Sequence, residues 1–467
     1  MLLGSAFLLV TAVNAVLMNL PLGPDGGTFL VLADGLLRGT LPYVQYIDHK
    51  PPGIYLFLAG ILMFSKSVWA IRIIYLAINV LTAGVIFVLG RELDSWKSGA
   101  IAGISYLSAV PLYEGVDVFA EPPMALLITI ASLSMWMFLR QGRRLLLVFA
   151  GVLAGGAILF KQTAGFFVLV GCLLLLRDKR RDLYSAGLDV ATFALAVSAP
   201  ILGIGFLYLL VGNLKDLVYW TIIANLTNYS SNSLGTSFSN LYEMLLRFPL
   251  FWLGSAAGAD LAFRKWKREN GPYQRMIWEF LLTAGGLSLL PLLVRQYGHY
   301  FIHTLPFASL LVGILGSELW RHRTRFESRS ALLAIVLIAL LIVPTVSFGG
   351  YLILTAVNPS EEGLLRQQQK AAVIDSNMSD EEELLIIGHE AEYYHLSDQK
   401  PIAPNPYYIE VNRNITYTRE SVRDLVTSPK RELVIVDPDQ CWRMCGFPTG
   451  EYSVLKEYSD ITVYVRD

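Results

Sequence analysis

The sequence predicts a mainly α-helical protein, a polytopic bundle of roughly eleven membrane helices followed by a small α/β domain. Three observations predict it. Of 467 residues, 54% are hydrophobic and only 16% charged, whereas soluble domains carry roughly a quarter charged residues. The apolar residues fall in runs of about 20, the length that crosses a hydrocarbon core. Basic residues then gather in every second connection between those runs. The same composition excludes disorder. With 37 basic against 38 acidic residues, the formal charge of −1 offers no overall field for nucleic acid. Three cysteines exclude a disulfide scaffold or a thiolate metal cage.

Taken in order, the expected crossings are residues 2–20, 68–90, 98–113, 122–139, 145–160, 163–176, 184–211, 248–263, 276–294, 304–319 and 330–354. The first lacks a basic leader and stays apolar to Leu20, so it reads as a membrane helix and not a signal peptide. The basic clusters are Arg91 and Lys97; Arg140, Arg143 and Arg144; Arg177, Lys179, Arg180 and Arg181; Arg264 through Arg275; and Arg321 through Arg329. Lys and Arg are retained on the cytoplasmic side, so this alternation predicts a plasma (inner) membrane protein with a cytoplasmic N-terminus and an outer C-terminus. It also splits 145–176 into two short helices turning near Lys161, because one long helix would put Arg140–Arg144 and Arg177–Arg181 on opposite faces.

The outer connections 21–67 and 212–247 are long, and 114–121 is short and acidic. Within the first, Thr28–Leu37 and Pro51–Phe64 are too short to span and predict helices lying along the membrane surface. Residues 1–356 thus form the membrane domain, and 357–467 an extracytoplasmic domain with strands at Leu384–Ile387, Leu433–Val436 and Ile461–Val465.

The residues able to do chemistry cluster at the outer rim. Asp25, in Pro24-Asp25-Gly26, suits a general base, although a Pro-Asp-Gly turn that caps the next helix explains it more plainly. Lys50, in Asp48-His49-Lys50-Pro51-Pro52-Gly53, stands where an ammonium and a helix N-terminus together suit a phosphate; its plainer reading is a snorkelling lysine. Glu114, Asp117 and Glu121 offer a second acid, a cation site or partners for sugar hydroxyls, and Glu121 also suits the start of a helix. Lys161 interrupts an apolar stretch, where an unpaired ammonium is costly. The run Arg295-Gln296-Tyr297-Gly298-His299-Tyr300-Phe301-Ile302-His303 offers a guanidinium fork for phosphate and aromatic rings for a sugar face or an isoprenoid tail. An aromatic belt explains the tyrosines but not the paired histidines. No P-loop is present, so a donor must carry its own activation and be available outside. A sugar joined through phosphate to a membrane lipid meets both needs.

The runs Pro24-Asp25-Gly26-Gly27-Thr28-Phe29, Leu36-Leu37-Arg38-Gly39-Thr40-Leu41-Pro42-Tyr43 and Asp48-His49-Lys50-Pro51-Pro52-Gly53-Ile54-Tyr55 resemble the first outer loop of the type C glycosyltransferases. The nearest branch is the bacterial one related to protein O-mannosyltransferases and lipid A aminoarabinose transferases. The resemblance implies a polyprenyl-phosphate sugar donor, an acceptor glycan, lipid or protein, and inversion at the anomeric carbon. It implies Asp25 and Glu121 as catalytic carboxylates; Lys50, Arg295, Lys161 and Arg72 around the donor phosphate; and Asp48, His49, Asp117, Tyr297, His299, Tyr300 and His303 toward the substrates. Many relatives carry a second acidic residue after the first-loop aspartate, where this chain has Gly26. No metal ligands are predicted, and a divalent-cation cofactor is left undetermined. A secondary transporter or a flippase-like protein is the competing class, but no internal repeat or midplane charge supports it. In the tail, Cys441 and Cys445 are close enough in sequence for a local disulfide.

Overall fold

The computed structural model describes residues 2–178, 182–227, 234–293, 296–322, 352–357, 363–378, 384–387, 390–399, 433–436, 452–458 and 461–466. Among them run α1 (Leu2–Val16), α2 (Pro24–Leu37), α3 (Gly53–Leu62), α4 (Val68–Leu93), α5 (Trp96–Ala109), α6 (Glu121–Gln141), α7 (Arg144–Phe160), α8 (Phe166–Arg177) and α9 (Leu183–Leu210). Helices Pro249–Arg268, Pro272–Leu287 and Leu305–Arg321 follow. Every expected crossing coincides with a helix except 330–354, most of which lies outside the described residues. Among the described residues, five helical stretches are long and apolar enough to cross a membrane: Leu2–Asn19, Val68–Leu93, Glu121–Gln141, Leu183–Leu210 and Pro272–Leu293.

The helices turn apolar side chains outward as well as inward. On α9, Phe193 and Val197 are buried while Leu195, Leu202 and Phe206 are exposed, which suits a hydrocarbon surround and not water. This is a multi-pass membrane protein. Helices α7 and α9 approach closely because Gly151 and Gly155 face the α9 backbone, where an added Cβ would strike Phe193 and Val197. Small residues at such crossings let backbones meet in the absence of a hydrophobic drive between helices.

Two elements differ from expectation. Helix α2 begins at Pro24, four residues before Thr28, so Pro24-Asp25-Gly26 is helix and not turn. Gly23 is extended, Pro24 takes the first helical position where its missing N–H is harmless, and Asp25 lies in the first turn, where the helix end favours a carboxylate. Gly26 and Gly27 are poor helix formers, but both are buried in packing that overrides propensity. The tail contains a strand that was not expected, Tyr452–Glu457, whose apolar run is only Val454-Leu455. With β1 (Leu384–Ile387), β2 (Leu433–Val436), β3 (Tyr452–Glu457) and β4 (Thr462–Arg466), the sheet order is β1-β2-β4-β3; β1 and β2 are parallel and the other pairs antiparallel. Cys441 and Cys445 lie outside the described residues. Leu364, at the start of the helix Leu364–Ser376, joins the core of α2, α3 and α4, so the tail unit packs onto the first loop.

Candidate active site

The site is built where α2, α3 and α6 begin. The chain enters α3 through Lys50-Pro51-Pro52, and Pro52 is the residue before its first turn. This short entry is held from several sides. The Tyr55 hydroxyl donates to Asp48 Oδ2 at 2.6 Å, the His49 N–H donates to Asp48 Oδ1 at 2.6 Å, and the His49 ring Nδ1 lies 2.9 Å from that same oxygen. The Tyr43 hydroxyl donates to the Lys50 carbonyl at 2.5 Å, with Tyr43 itself in the left-handed region at φ 70°. Asn225 donates to the His49 carbonyl at 2.8 Å. Burial by itself would raise the Asp48 pKa, but the charges of Lys50 and His49 and these hydrogen bonds hold its carboxyl well below the usual range. Burial pushes the His49 imidazole downward, against the pull of Asp48. Asp48 and His49 therefore shape the Lys50 turn.

Lys50, 5% exposed, extends its ammonium over the Phe29 ring at 4.4 Å and to within 3.5 Å of Asp25 Oδ2. The Asp25 carboxylate keeps 21% of its side chain exposed. A second cation–carboxylate pair stands beside the first. Lys161 breaks the path between α7 and α8 with an extended backbone, as the split of 145–176 requires, and its buried ammonium pairs with Glu121 Oε1 at the start of α6. It also lies over the Tyr300 ring, 3.2 Å from the centroid. Glu121 Oε2 is buried with no hydrogen-bond partner among the described residues. Lys50 acts electrostatically on both Glu121 and Lys161, and Asp25 on Lys161 and His49, so the two pairs form one charged cluster.

His299 completes it. Its ring stacks on Phe119 at 4.2 Å, donates from Nδ1 to Glu114 Oε2 at 3.0 Å and points Nε2 toward Glu121 Oε1 at 3.9 Å. Glu114 is left-handed at φ 65°, an uncommon conformation for a glutamate, and its other oxygen meets Arg247 Nη1 at 3.1 Å. Burial by itself would raise the Glu114 pKa, but His299 and Arg247 bring it down to about 2.

Other expected residues stand elsewhere. Arg72, 1% exposed, donates from Nη1 and Nη2 to the carbonyls of Met18, Leu20 and Pro21 and to Asp117 Oδ1, and so braces the chain ahead of α2. Asp117 is likewise engaged, with Oδ2 accepting from the Gly23 N–H at 3.0 Å. His303 donates from Nε2 to the Ser288 carbonyl at 3.0 Å and packs on Phe166. Tyr297 is half exposed and parallel to the His299 ring. Arg295 lies outside the described residues. Arg247, Asn225 and Gln162, whose Nε2 donates to the Thr221 carbonyl at 2.8 Å and to the His49 carbonyl at 3.4 Å, were not expected. Arg247 had one signal, as the single arginine of an outer connection whose other basic residue is Lys215.

Residues 48–204 match the family model described as dolichyl-phosphate-mannose-protein mannosyltransferase. Comparison with curated proteins gives no match. Among solved structures the chain is similar to ArnT from Cupriavidus metallidurans bound to undecaprenyl phosphate, with 15% identity and a TM-score of 0.67, covering 99% of this chain and 97% of that one. It is also similar to the oligosaccharyltransferase of Archaeoglobus fulgidus in its apo form, with 11% identity and a TM-score of 0.61, covering 93% of this chain and 69% of that one. A complex of that archaeal oligosaccharyltransferase, AglB, with an inhibitory peptide and a dolichol-phosphate matches with 12% identity and a TM-score of 0.57, over 93% of this chain and 69% of that one. The chain therefore has the type C glycosyltransferase fold, and the segment 48–204, which carries Lys50, Glu121 and Lys161, matches the mannosyltransferase family model.

Proposed function

We propose that this protein is an integral membrane glycosyltransferase that moves one sugar from a polyprenyl-phosphate donor to an acceptor outside the cytoplasm. The observation that carries the reading is the pairing of Lys50 with Asp25 and of Lys161 with Glu121 in one cluster at the beginnings of α2, α3 and α6. The ArnT structure similar to this chain is bound to undecaprenyl phosphate, which supports a lipid phosphate as the donor's leaving group.

In this reading the donor phosphate displaces part of the carboxylate–lysine pairing and meets Lys50 and Lys161. The positive ends of the three helices add to their field. Asp25, the more exposed carboxylate, takes the proton of the acceptor hydroxyl or amine. The acceptor atom forms its bond to the anomeric carbon as the bond from that carbon to the phosphate oxygen breaks, and the electron pair leaves with the phosphate. Negative charge grows on that phosphate in the transition state, where lysines already in place stabilise it. Attack opposite the lipid phosphate inverts the anomeric centre. Glu121, with one oxygen free of partners among the described residues, and His299 hold hydroxyls of the substrates, and Arg295 adds to the phosphate contacts. The site faces the outside of the plasma membrane, with the N-terminus in the cytoplasm and the α/β domain, residues 357–467, outside.

The test is Asp25→Asn in membranes supplied with a lipid-linked sugar. Loss of a positioned base lowers transfer by about 100- to 10,000-fold. Transfer at the wild-type rate would remove Asp25 from the chemistry.

A further inference from the structure

We propose that the C-terminal unit is part of the transfer machinery, and that Gln367 is a positioning residue that acts through Leu22 on Asp25. This rests on the reading of Asp25 as the acceptor's base. The segment between α1 and α2 ends in an irregular stretch before Gly23, and polar backbone groups in such a stretch need partners. They find them in side chains from far along the chain. Arg72 takes the carbonyls of Met18, Leu20 and Pro21, and Asp117 takes the Gly23 N–H. Leu22 is gripped at both ends by one side-chain amide: its N–H donates to Gln367 Oε1 at 2.7 Å, and Gln367 Nε2 donates to its carbonyl at 3.1 Å.

A two-point clamp sets the direction of the backbone as well as its place. Gln367 is itself oriented, because Nε2 also donates to Glu392 Oε1 at 3.2 Å. Glu392 opens the short helix Glu392–Leu396, which lies on α2 so closely that a Cβ on Gly27 would overlap the Glu392 backbone. At the far end of α2, Asp398 meets Arg38 at 2.8 Å and Lys66 at 2.6 Å, but these groups are partly exposed and contribute little. The buried amide is the stronger fastening. Asp25 follows Leu22 by three residues in the first turn of α2, so the clamp sets where its carboxylate stands relative to Lys50. A shift of about 1 Å in such a group slows a reaction about 100-fold.

The experiment uses the full chain in lipid nanodiscs and compares wild type, Gln367→Ala and Asp25→Asn. Hydrogen exchange of the Leu22–Phe29 segment, binding of undecaprenyl phosphate, and sugar transfer in a deletion strain carrying each variant are measured. Gln367→Ala is expected to speed exchange of that segment and slow transfer by about tenfold or more, with undecaprenyl phosphate affinity unchanged because Lys50 and Lys161 remain. If Gln367→Ala does not fold, Gln367→Met, which keeps the side-chain length but loses both amide bonds to Leu22, takes its place with the same readouts. Wild-type transfer by Gln367→Ala beside an inactive Asp25→Asn overturns the clamp. Wild-type transfer by Asp25→Asn overturns the base assignment, and the exchange data then judge the clamp alone as a structural contact.

Discussion

Arg72 on α4 reaches Asp117 in the loop before α6, with Nη2 3.0 Å from Oδ1, and the pair braces the chain that leads into α2. Its guanidinium serves three backbone carbonyls at once, which the single ammonium of lysine cannot do from the same place. Arg72→Lys should therefore behave as a severe change. The expected loss is about 1–3 kcal/mol for each buried acceptor left unpaired, measured as a lower melting temperature in detergent. A melting temperature equal to wild type would show that the brace is dispensable.

Lys161 and Glu121 are both almost fully buried. Removing one partner of such a pair leaves an uncompensated charge and destabilises by about 3–5 kcal/mol. Lys161→Met should therefore melt well below wild type, and adding Glu121→Gln should recover part of the loss. Additive effects in this double-mutant cycle would mean that the two groups do not depend on one another.

Lys50→Met tests the donor contact separately from the base. Undecaprenyl phosphate affinity is expected to fall at least about tenfold, equivalent to 1.4 kcal/mol, while Asp25→Asn, which removes a carboxylate competing for Lys50, does not lower it. Equal affinity in Lys50→Met and wild type would place the lipid phosphate elsewhere.

Glu114 gives a pH prediction with a definite sign. Its carboxyl is lowered from the ordinary 4.5 to about 2, so its stabilising contribution is complete above pH 4.5 and fades as pH falls toward 2. The gap in melting temperature between wild type and Glu114→Gln should stay level from pH 8 to pH 5 and close below it. A gap that narrows on the alkaline side would assign the effect to another group. In the same variant His299 loses its charged anchor, and transfer should slow at neutral pH.

Tyr55→Phe removes the hydroxyl that donates to Asp48 and leaves a buried carboxylate one donor short. The expected loss is about 1–3 kcal/mol, accompanied by slower transfer because the Lys50 turn loosens. Full stability in the variant would show that His49 holds Asp48 unaided.

Much of this was legible in the sequence, because the signals are local. Apolar run length and charge alternation place the helices, including the break at Lys161, and the Lys50-Pro51-Pro52 step marks the start of α3. A helix satisfies its own backbone, so its presence depends little on distant residues. Strand β3 escaped notice because it is partly polar and gains its place only by pairing with β4. The structural start of α2 lies four residues ahead of Thr28 for a similar reason, since buried packing around Gly26 and Gly27 outweighs their low propensity.

What the sequence determined by itself was a mainly helical membrane fold and the short set of charged residues from which a site had to be made. What only the tertiary structure decided was how those charges divide between chemistry and support. Asp25 with Lys50, and Glu121 with Lys161, meet as two pairs in one cluster, whereas Arg72 and Asp117 are occupied by backbone. The physical reason is separation along the chain: Asp117 reaches Gly23 across 94 residues and Gln367 reaches Leu22 across 345. A hydrogen bond over such a span leaves no periodicity or motif in the sequence, and only the packing of α2 against the rest of the molecule brings its partners together.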